Sequence, residues 1–293
     1  MKVKDWAAFL FLTFVWGASF FWIKIAVDEI DPLTLVAFRL VFGLCGLAFF
    51  FPIKKPAIPR ERRVWVSLAI LGLTSSAIPW TLISWAETRI DSAIASVLNG
   101  TVPLFTIVVA HLFLRDDRIT SDRVLGLVLG FAGVVVLAQR SAGGTGIETS
   151  GTINLLGKGA MLLATLSYSL GAVYARRTLR GAGALIQAFF SMAFSLVPIL
   201  VATFVVHGGP RIPVQADTWA ALAWLGILGA GVASFVFYGL LHSVGPTRAS
   251  LVTYTLPVVG VALGVLVLGE RLDWPLVAGM LLIVSGVWVV NRR

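Results

Sequence analysis

The sequence has one cysteine, Cys45, set in an apolar run, so it can form no internal disulfide and a disulfide-stapled secreted scaffold is excluded. Its three histidines, at 111, 207 and 242, stand far apart and give none of the usual zinc-ligand spacings, so no metal site and no cofactor are expected. No G-x-x-x-x-G-K-[ST] stretch occurs, which argues against ATP-driven transport by this chain alone and implies no ATPase subunit. Charge is scarce too: 13% of the 293 residues are charged against 58% hydrophobic, and the mean hydropathy is +0.93. That balance excludes disorder, a collagenous chain and a pair of ordinary soluble domains, and it makes the chain a membrane protein. Every Asp and Glu falls at or near the end of an apolar run, so the sequence offers no midplane carboxylate of the kind a proton-coupled pump uses.

What is abundant is apolar sequence in lengths that cross a bilayer. Runs near 6–26, 33–51, 64–84, 90–114, 122–139, 157–175, 184–206, 218–240, 248–268 and 275–290 read as ten helices. They lack the alternation of a membrane β-barrel, since stretches such as Val102 to Leu114 are apolar on nearly every side. Lys2 and Lys4 precede the first run as in a signal peptide, but the run is too long and no small-residue cleavage site follows, so it is expected to remain as helix one. With the N-terminus in the cytoplasm, sixteen Lys and Arg residues face inward and seven face outward. The positive-inside rule selects that orientation, with both termini cytoplasmic, and it accounts for the net charge of +9 without a nucleic-acid partner.

The segment around Ser141-Ala142-Gly143-Gly144-Thr145-Gly146 interrupts the hydrophobic pattern midway, leaving five helices on each side. A slide of 154 residues pairs Gly72 with Gly226, Ala95 with Ala249, Ser96 with Ser250, Thr101 with Thr255 and Pro103 with Pro257. A slide of 153 pairs Gly126 with Gly279 and Gly133 with Gly286. An odd number of helices per half sends the second copy through the membrane upside down, as in many secondary transporters. The fold expected is an all-α membrane protein of ten transmembrane helices in two inverted five-helix repeats, residues 1–140 and 157–293, joined by a linker at 141–156.

Trp16-Gly17-Ala18-Ser19-Phe20 in helix one, Arg39 early in helix two, and Ala249-Ser250-Leu251, Pro257 and Leu268-Gly269-Glu270-Arg271 around helix nine resemble the EamA family of the drug/metabolite transporter superfamily. The likeness covers almost the whole chain. The first-half copy departs from it with Arg115-Asp116 where a Gly-Glu pair is usual. The resemblance implies a ten-helix inner-membrane permease, mostly an exporter of amino acids and other small metabolites, with a central cavity between halves.

The residues themselves point to candidate sites. A proline inside a helix removes a donor and displaces the carbonyl four residues earlier, so Pro103 and Pro257 are expected to kink helices four and nine and free the carbonyls of Asn99 and Thr253, beside Thr101 and Thr255. Such irregular backbone either lines a cavity or only shapes helix packing. Trp16, Ser19, Trp80, Ser84, Tyr168, Ser169, Gln187, Ser191, Ser234, Tyr238 and Tyr254 lie at comparable depths and suit an amphipathic small molecule, though each taken singly also fits ordinary packing. Lys24 reads as a snorkelling residue or a partner for Asp28. Arg39 lies deeper, and it either braces helix ends or attracts an anionic group of a substrate. The leading reading is a secondary permease for amphipathic, carboxylated metabolites; its rivals are a non-transporting receptor or assembly subunit and an intramembrane enzyme.

Overall fold

In the computed structural model, residues 3–113, 121–139, 151–244 and 252–290 are described. They form ten helical segments: α1 (Val3–Val27), α2 (Pro32–Lys54), α3 (Arg62–Glu87), α4 (Ser92–Phe113), α5 (Ser121–Ala138), α6 (Gly151–Thr178), α7 (Ala184–His207), α8 (Ala216–Ala223, Trp224–Val232 and Ala233–Val244), α9 (Val252–Leu266) and α10 (Trp274–Val290). Eight are long and apolar enough to cross a membrane, and two shorter apolar helices, Thr255–Leu266 and Trp274–Val289, complete the set. Helix α6 starts at Gly151, so residues 151–156 of the expected linker are helical; 141–150, Arg115-Asp116 and Ala249-Ser250-Leu251 lie outside the described residues.

Local chemistry sets the helix starts. Asp31 caps α2 by accepting from the Thr34 amide at 2.9 Å, with Pro32 in the first turn, and Asp273 caps α10 by accepting from the Leu276 amide at 3.1 Å. The Trp65 indole donates to the Pro59 carbonyl at 3.1 Å ahead of α3. At an offset of 154 residues, the Trp219 indole donates to the Pro213 carbonyl at 3.1 Å ahead of α8. The same aromatic staple thus opens both copies of the third helix in the repeat.

Packing follows the repeat. Helix α1 packs on α9 as α6 packs on α4, α2 on α8 as α7 on α3, and α1 on α8 as α6 on α3. The pairs α5–α10, α2–α7 and α4–α9 join each element to its own mate. Two irregularities also repeat. A π-helical stretch at Leu73–Ala77 in α3 has its counterpart inside the stretch Trp224–Val232 of α8. In α3, Pro79 has no amide to give to the carbonyl four residues back, which favours the wider turn. In α8, glycines permit close approach instead: a Cβ on Gly226 would lie 2.3 Å from Phe42 Cβ, against α2.

Hydroxyl pairs repeat as well. Thr101 Oγ1 lies 3.2 Å from Thr165 Oγ1 between α4 and α6, and Thr13 Oγ1 lies 2.6 Å from Thr255 Oγ1 between α1 and α9. Thr101 and Thr255 are repeat mates, and each meets a threonine on the corresponding neighbour. The ten helices therefore form two inverted halves of one bundle.

The prolines do not behave alike. Helix α4 is broken: Ser92–Asn99 ends with short-turn bonds from the Gly100 amide to Val97 and from the Thr101 amide to Leu98, and Val102–Phe113 restarts with Pro103 in its first turn. Pro257 sits inside the continuous helix Val252–Leu266. The expectation of matched interior kinks is corrected accordingly. Pro103 opens a second helical piece, a position that lacks a partner for an amide in any case, whereas Pro257 removes one from the middle of a helix.

Candidate functional site

The connections at 28–31, 88–91, 208–215 and 267–273 lie at the end of the bundle away from the N-terminus, here the distal end. Contacts between the two halves close it. The Glu29 carboxylate accepts from the Val214 and Gln215 amides, Asp31 lies 3.3 Å from His207, and the Arg211 amide donates to Thr34 Oγ1 at 3.2 Å. Glu270, after α9, accepts from the Ser92 amide at 2.7 Å and the Ala93 amide at 2.8 Å, so it caps α4 across the two halves. Removal from water raises the Glu270 carboxyl above its ordinary value, and those amides draw it the other way. The Thr218 hydroxyl beside Glu29, with the Val214 and Gln215 amides, holds the Glu29 carboxyl below its ordinary value.

Beneath this closed end lies a buried polar cluster on one face of α3. Trp80, Ser84 and Glu87 recur at i, i+4 and i+7, the spacing that stacks side chains along a helix. The Arg39 guanidinium, from α2, stands 4.1 Å from the centroid of the Trp80 ring, and its Nε has no hydrogen-bond partner among the described residues. The Tyr168 hydroxyl of α6 faces both the Trp80 indole and that guanidinium. Ser84 and Glu87 are fully buried, and among the described residues the Ser84 hydroxyl and both Glu87 carboxylate oxygens find no partner. Lys24 is buried rather than snorkelling, and it does not pair with Asp28. Its ammonium donates to the main-chain carbonyls of Glu87 at 2.7 Å and Ile90 at 3.3 Å, because α1 packs inside the bundle against the end of α3.

Of the residues singled out from sequence, the structure thus brings Arg39, Trp80, Ser84 and Tyr168 to one place. Trp16 and Ser19 make other bonds: the Trp16 indole donates to the Gly229 carbonyl of α8 at 2.9 Å, and the Ser19 hydroxyl to the Val15 carbonyl of its own helix at 3.1 Å. Thr101 pairs with Thr165, and Asn99, at the break in α4, leaves its side-chain oxygen buried without a partner. Ser191 donates to the Ala188 carbonyl at 3.1 Å. Gln187 is at the start of α7, where its amide donates to the Leu179 and Ala182 carbonyls, away from the Arg39 cluster. Thr253 is half-buried in the first turn of α9. The side chains of Tyr238 and Tyr254 lie outside the described residues.

Sequence reasoning missed Glu87, and it named Glu270 only as part of a family motif, not as the cap of α4. Both stand at helix ends in the linear pattern, where a carboxylate is ordinarily solvated. The available signal was the spacing of Trp80, Ser84 and Glu87 on the face that also carries the cluster.

A family model described as the EamA-like transporter family matches residues 5–139 and 155–292. The chain belongs to that family. Its membership makes the protein a membrane transporter and sets aside the reading as an intramembrane enzyme. An uncharacterized inner membrane transporter of Escherichia coli K12, YedA, is 29% identical over 89% of this chain and 82% of its own length. An uncharacterized transporter of Bacillus subtilis strain 168, YoaV, is 23% identical over 98% of this chain and 96% of its own. A protein of Salmonella typhimurium named a probable amino-acid metabolite efflux pump is 26% identical, over 99% of this chain and 95% of its own. A crystal structure superposes with a TM-score of 0.68 at 20% identity, covering 99% of this chain and 96% of that one, which shows a shared fold.

Proposed function

We propose that this transporter is a secondary permease of the inner membrane that moves small amphipathic metabolites, chiefly amino acids or related carboxylated compounds, by alternating access. Its two halves, residues 1–140 and 157–293 joined at 141–156, rock about the region of Arg39, Trp80, Tyr168 and the broken helix α4. The observation that carries this reading is Arg39 itself. A guanidinium buried in a membrane bundle, lying on an indole and with a donor left over, is a receptor for a planar anion. The Trp80 and Tyr168 rings beside it supply apolar contact for the rest of such a ligand. The name of the Salmonella relative supports both the substrate class and an exporting role.

In this reading the termini face the cytoplasm and the distal end faces the periplasm, which the balance of basic residues supports. In a Cys45→Ala background, a membrane-impermeant thiol reagent applied to whole cells should label a cysteine at Val214 and spare one at Arg60. The opposite pattern reverses the topology. Transport is tested by tracer exchange in proteoliposomes against a panel of amino acids, nucleosides and cationic drugs, with and without a proton gradient. Exchange of amino acids supports the reading. A protein that exchanges none of the panel is not such a permease.

A further inference from the structure

The cluster holds two receptors of opposite sign. Arg39 has an unpartnered Nε at one end of the α3 stripe, and Glu87 has two unpartnered carboxylate oxygens at the other. Each could have been satisfied within the protein, and neither is. Lys24 approaches Glu87, but its ammonium is taken up by the carbonyls of Glu87 and Ile90. The carboxylate of Glu270 is occupied by the Ser92 and Ala93 amides. The charged groups whose fields reach Glu87 are Lys24 from α1, Arg39 from α2 and Glu270 from the α9–α10 connection. Lys158 of α6, also buried, donates to the Ala138 carbonyl.

A buried carboxylate with no donor is strongly unfavourable, and such orphans in a native protein call for an occupant. On a helix, side chains lean toward the N-terminus, which on α3 is the direction from Glu87 to Ser84 and Trp80. Trp80 and Glu87 are two turns apart, about 10 Å along the axis, and Arg39, seated on Trp80, lies near enough for its charge to act on the Glu87 carboxyl. The Ser84 hydroxyl, also without a partner, lies between them.

We propose that Glu87 determines specificity by receiving the cationic nitrogen of the substrate while Arg39 receives its carboxylate, so that the transported molecules are zwitterionic amino acids. This rests on the permease reading and narrows it. A carboxylate alone satisfies Arg39 and leaves Glu87 bare; an amine alone does the reverse. Both ends must be filled for the orphaned atoms of Arg39 and Glu87 to find partners.

Three labelled probes with one skeleton decide it: phenylalanine, 3-phenylpropionate, which lacks the amine, and phenylalaninamide, which lacks the carboxylate. In proteoliposomes the parent should take up phenylalanine with an apparent affinity at least about tenfold better than either analogue, the usual cost of losing one charge-assisted bond. Glu87→Gln should lower the affinity for phenylalanine by about tenfold or more and bring it level with 3-phenylpropionate, whose own affinity does not fall. Where Glu87→Gln does not accumulate in the membrane, Glu87→Asp keeps the charge on a shorter stem, and it should lose affinity for phenylalanine but not for 3-phenylpropionate. Equal losses for both compounds would overturn the assignment and reduce Glu87 to a structural group. A parent that moves 3-phenylpropionate as well as phenylalanine would also overturn it while leaving the permease standing. A parent that moves none of the three, nor any other amino acid of the panel, would defeat both.

Discussion

Arg39 lies over Trp80 with its guanidinium carbon 4.1 Å from the ring centroid, and this contact joins α2 to α3 at the buried heart of the bundle. A cation over an indole in a desolvated place contributes about 2 kcal/mol, and an aliphatic residue offers no such face. Trp80→Leu should therefore lower thermal stability and weaken substrate affinity together. Trp80→Phe, which keeps a smaller ring, should fall between the two. The measurement is melting in detergent beside tracer uptake; a Trp80→Leu variant as stable and as active as the parent removes the contact from the account.

The close approach of the halves at their π-helical segments can be tested by adding volume. A Cβ on Gly226 would meet Phe42 Cβ at 2.3 Å, and one on Gly72 would meet the Ser191 carbonyl oxygen at 2.3 Å. Overpacking of this kind typically costs about 1–3 kcal/mol. Gly72→Ala and Gly226→Ala should each lower the melting temperature. The two losses should be comparable, because Phe42 Cβ is fixed to the backbone and can no more rotate away than the Ser191 carbonyl can. Melting of the two purified variants checks both, and a variant as stable as the parent removes its close approach from the account.

The break in α4 distinguishes the two prolines. Pro103→Ala supplies an amide where the helix now restarts, letting α4 run on from Asn99 and withdrawing the irregular backbone. Pro257→Ala fills a gap inside a helix that is already continuous. Transport should fall several-fold in Pro103→Ala with stability kept, and less in Pro257→Ala. Equal rates in both variants would leave the break with a packing role alone.

Much of this architecture is legible in the sequence, because spans long enough to cross a bilayer must be apolar and the 154-residue offset survives at glycine and proline. The Trp65 and Trp219 staples, the π-helical stretches and the paired threonines add independent marks of the same repeat. The site was less visible. Lys24 and Glu87 stand near helix ends, where linear reasoning expects water; it is the packing of α1, α2 and α6 around the end of α3 that buries them. Gln187 errs the other way: its depth in the sequence pattern matches the cluster, but α7 begins there and the side chain serves the preceding turn.

The distal clasp responds to acid. The carboxyl of Glu29 lies below its ordinary value of 4.5 in the folded protein, so its contribution is present above that value and is lost as pH falls through the lower, folded one. Glu29→Gln should melt below the parent at neutral pH, and the difference should close as pH falls from about 6 to about 3. A difference that persists unchanged at the acid end would show that the carboxylate is not what ties 214 and 215 to the first half.

The central claim is that Arg39 binds the substrate carboxylate. Arg39→Lys keeps the charge but loses the planar fork, and Arg39→Gln loses both. The deciding measurement is the apparent affinity of these two variants and the parent, in proteoliposomes, for a transported amino acid and for its amide. For the amino acid, the account predicts a graded loss from parent through Arg39→Lys to Arg39→Gln, reaching about 10-fold to 150-fold, with the amide nearly unaffected. Equal losses for acid and amide, together with a lower melting temperature, would contradict it and leave Arg39 as a brace between α2 and α3.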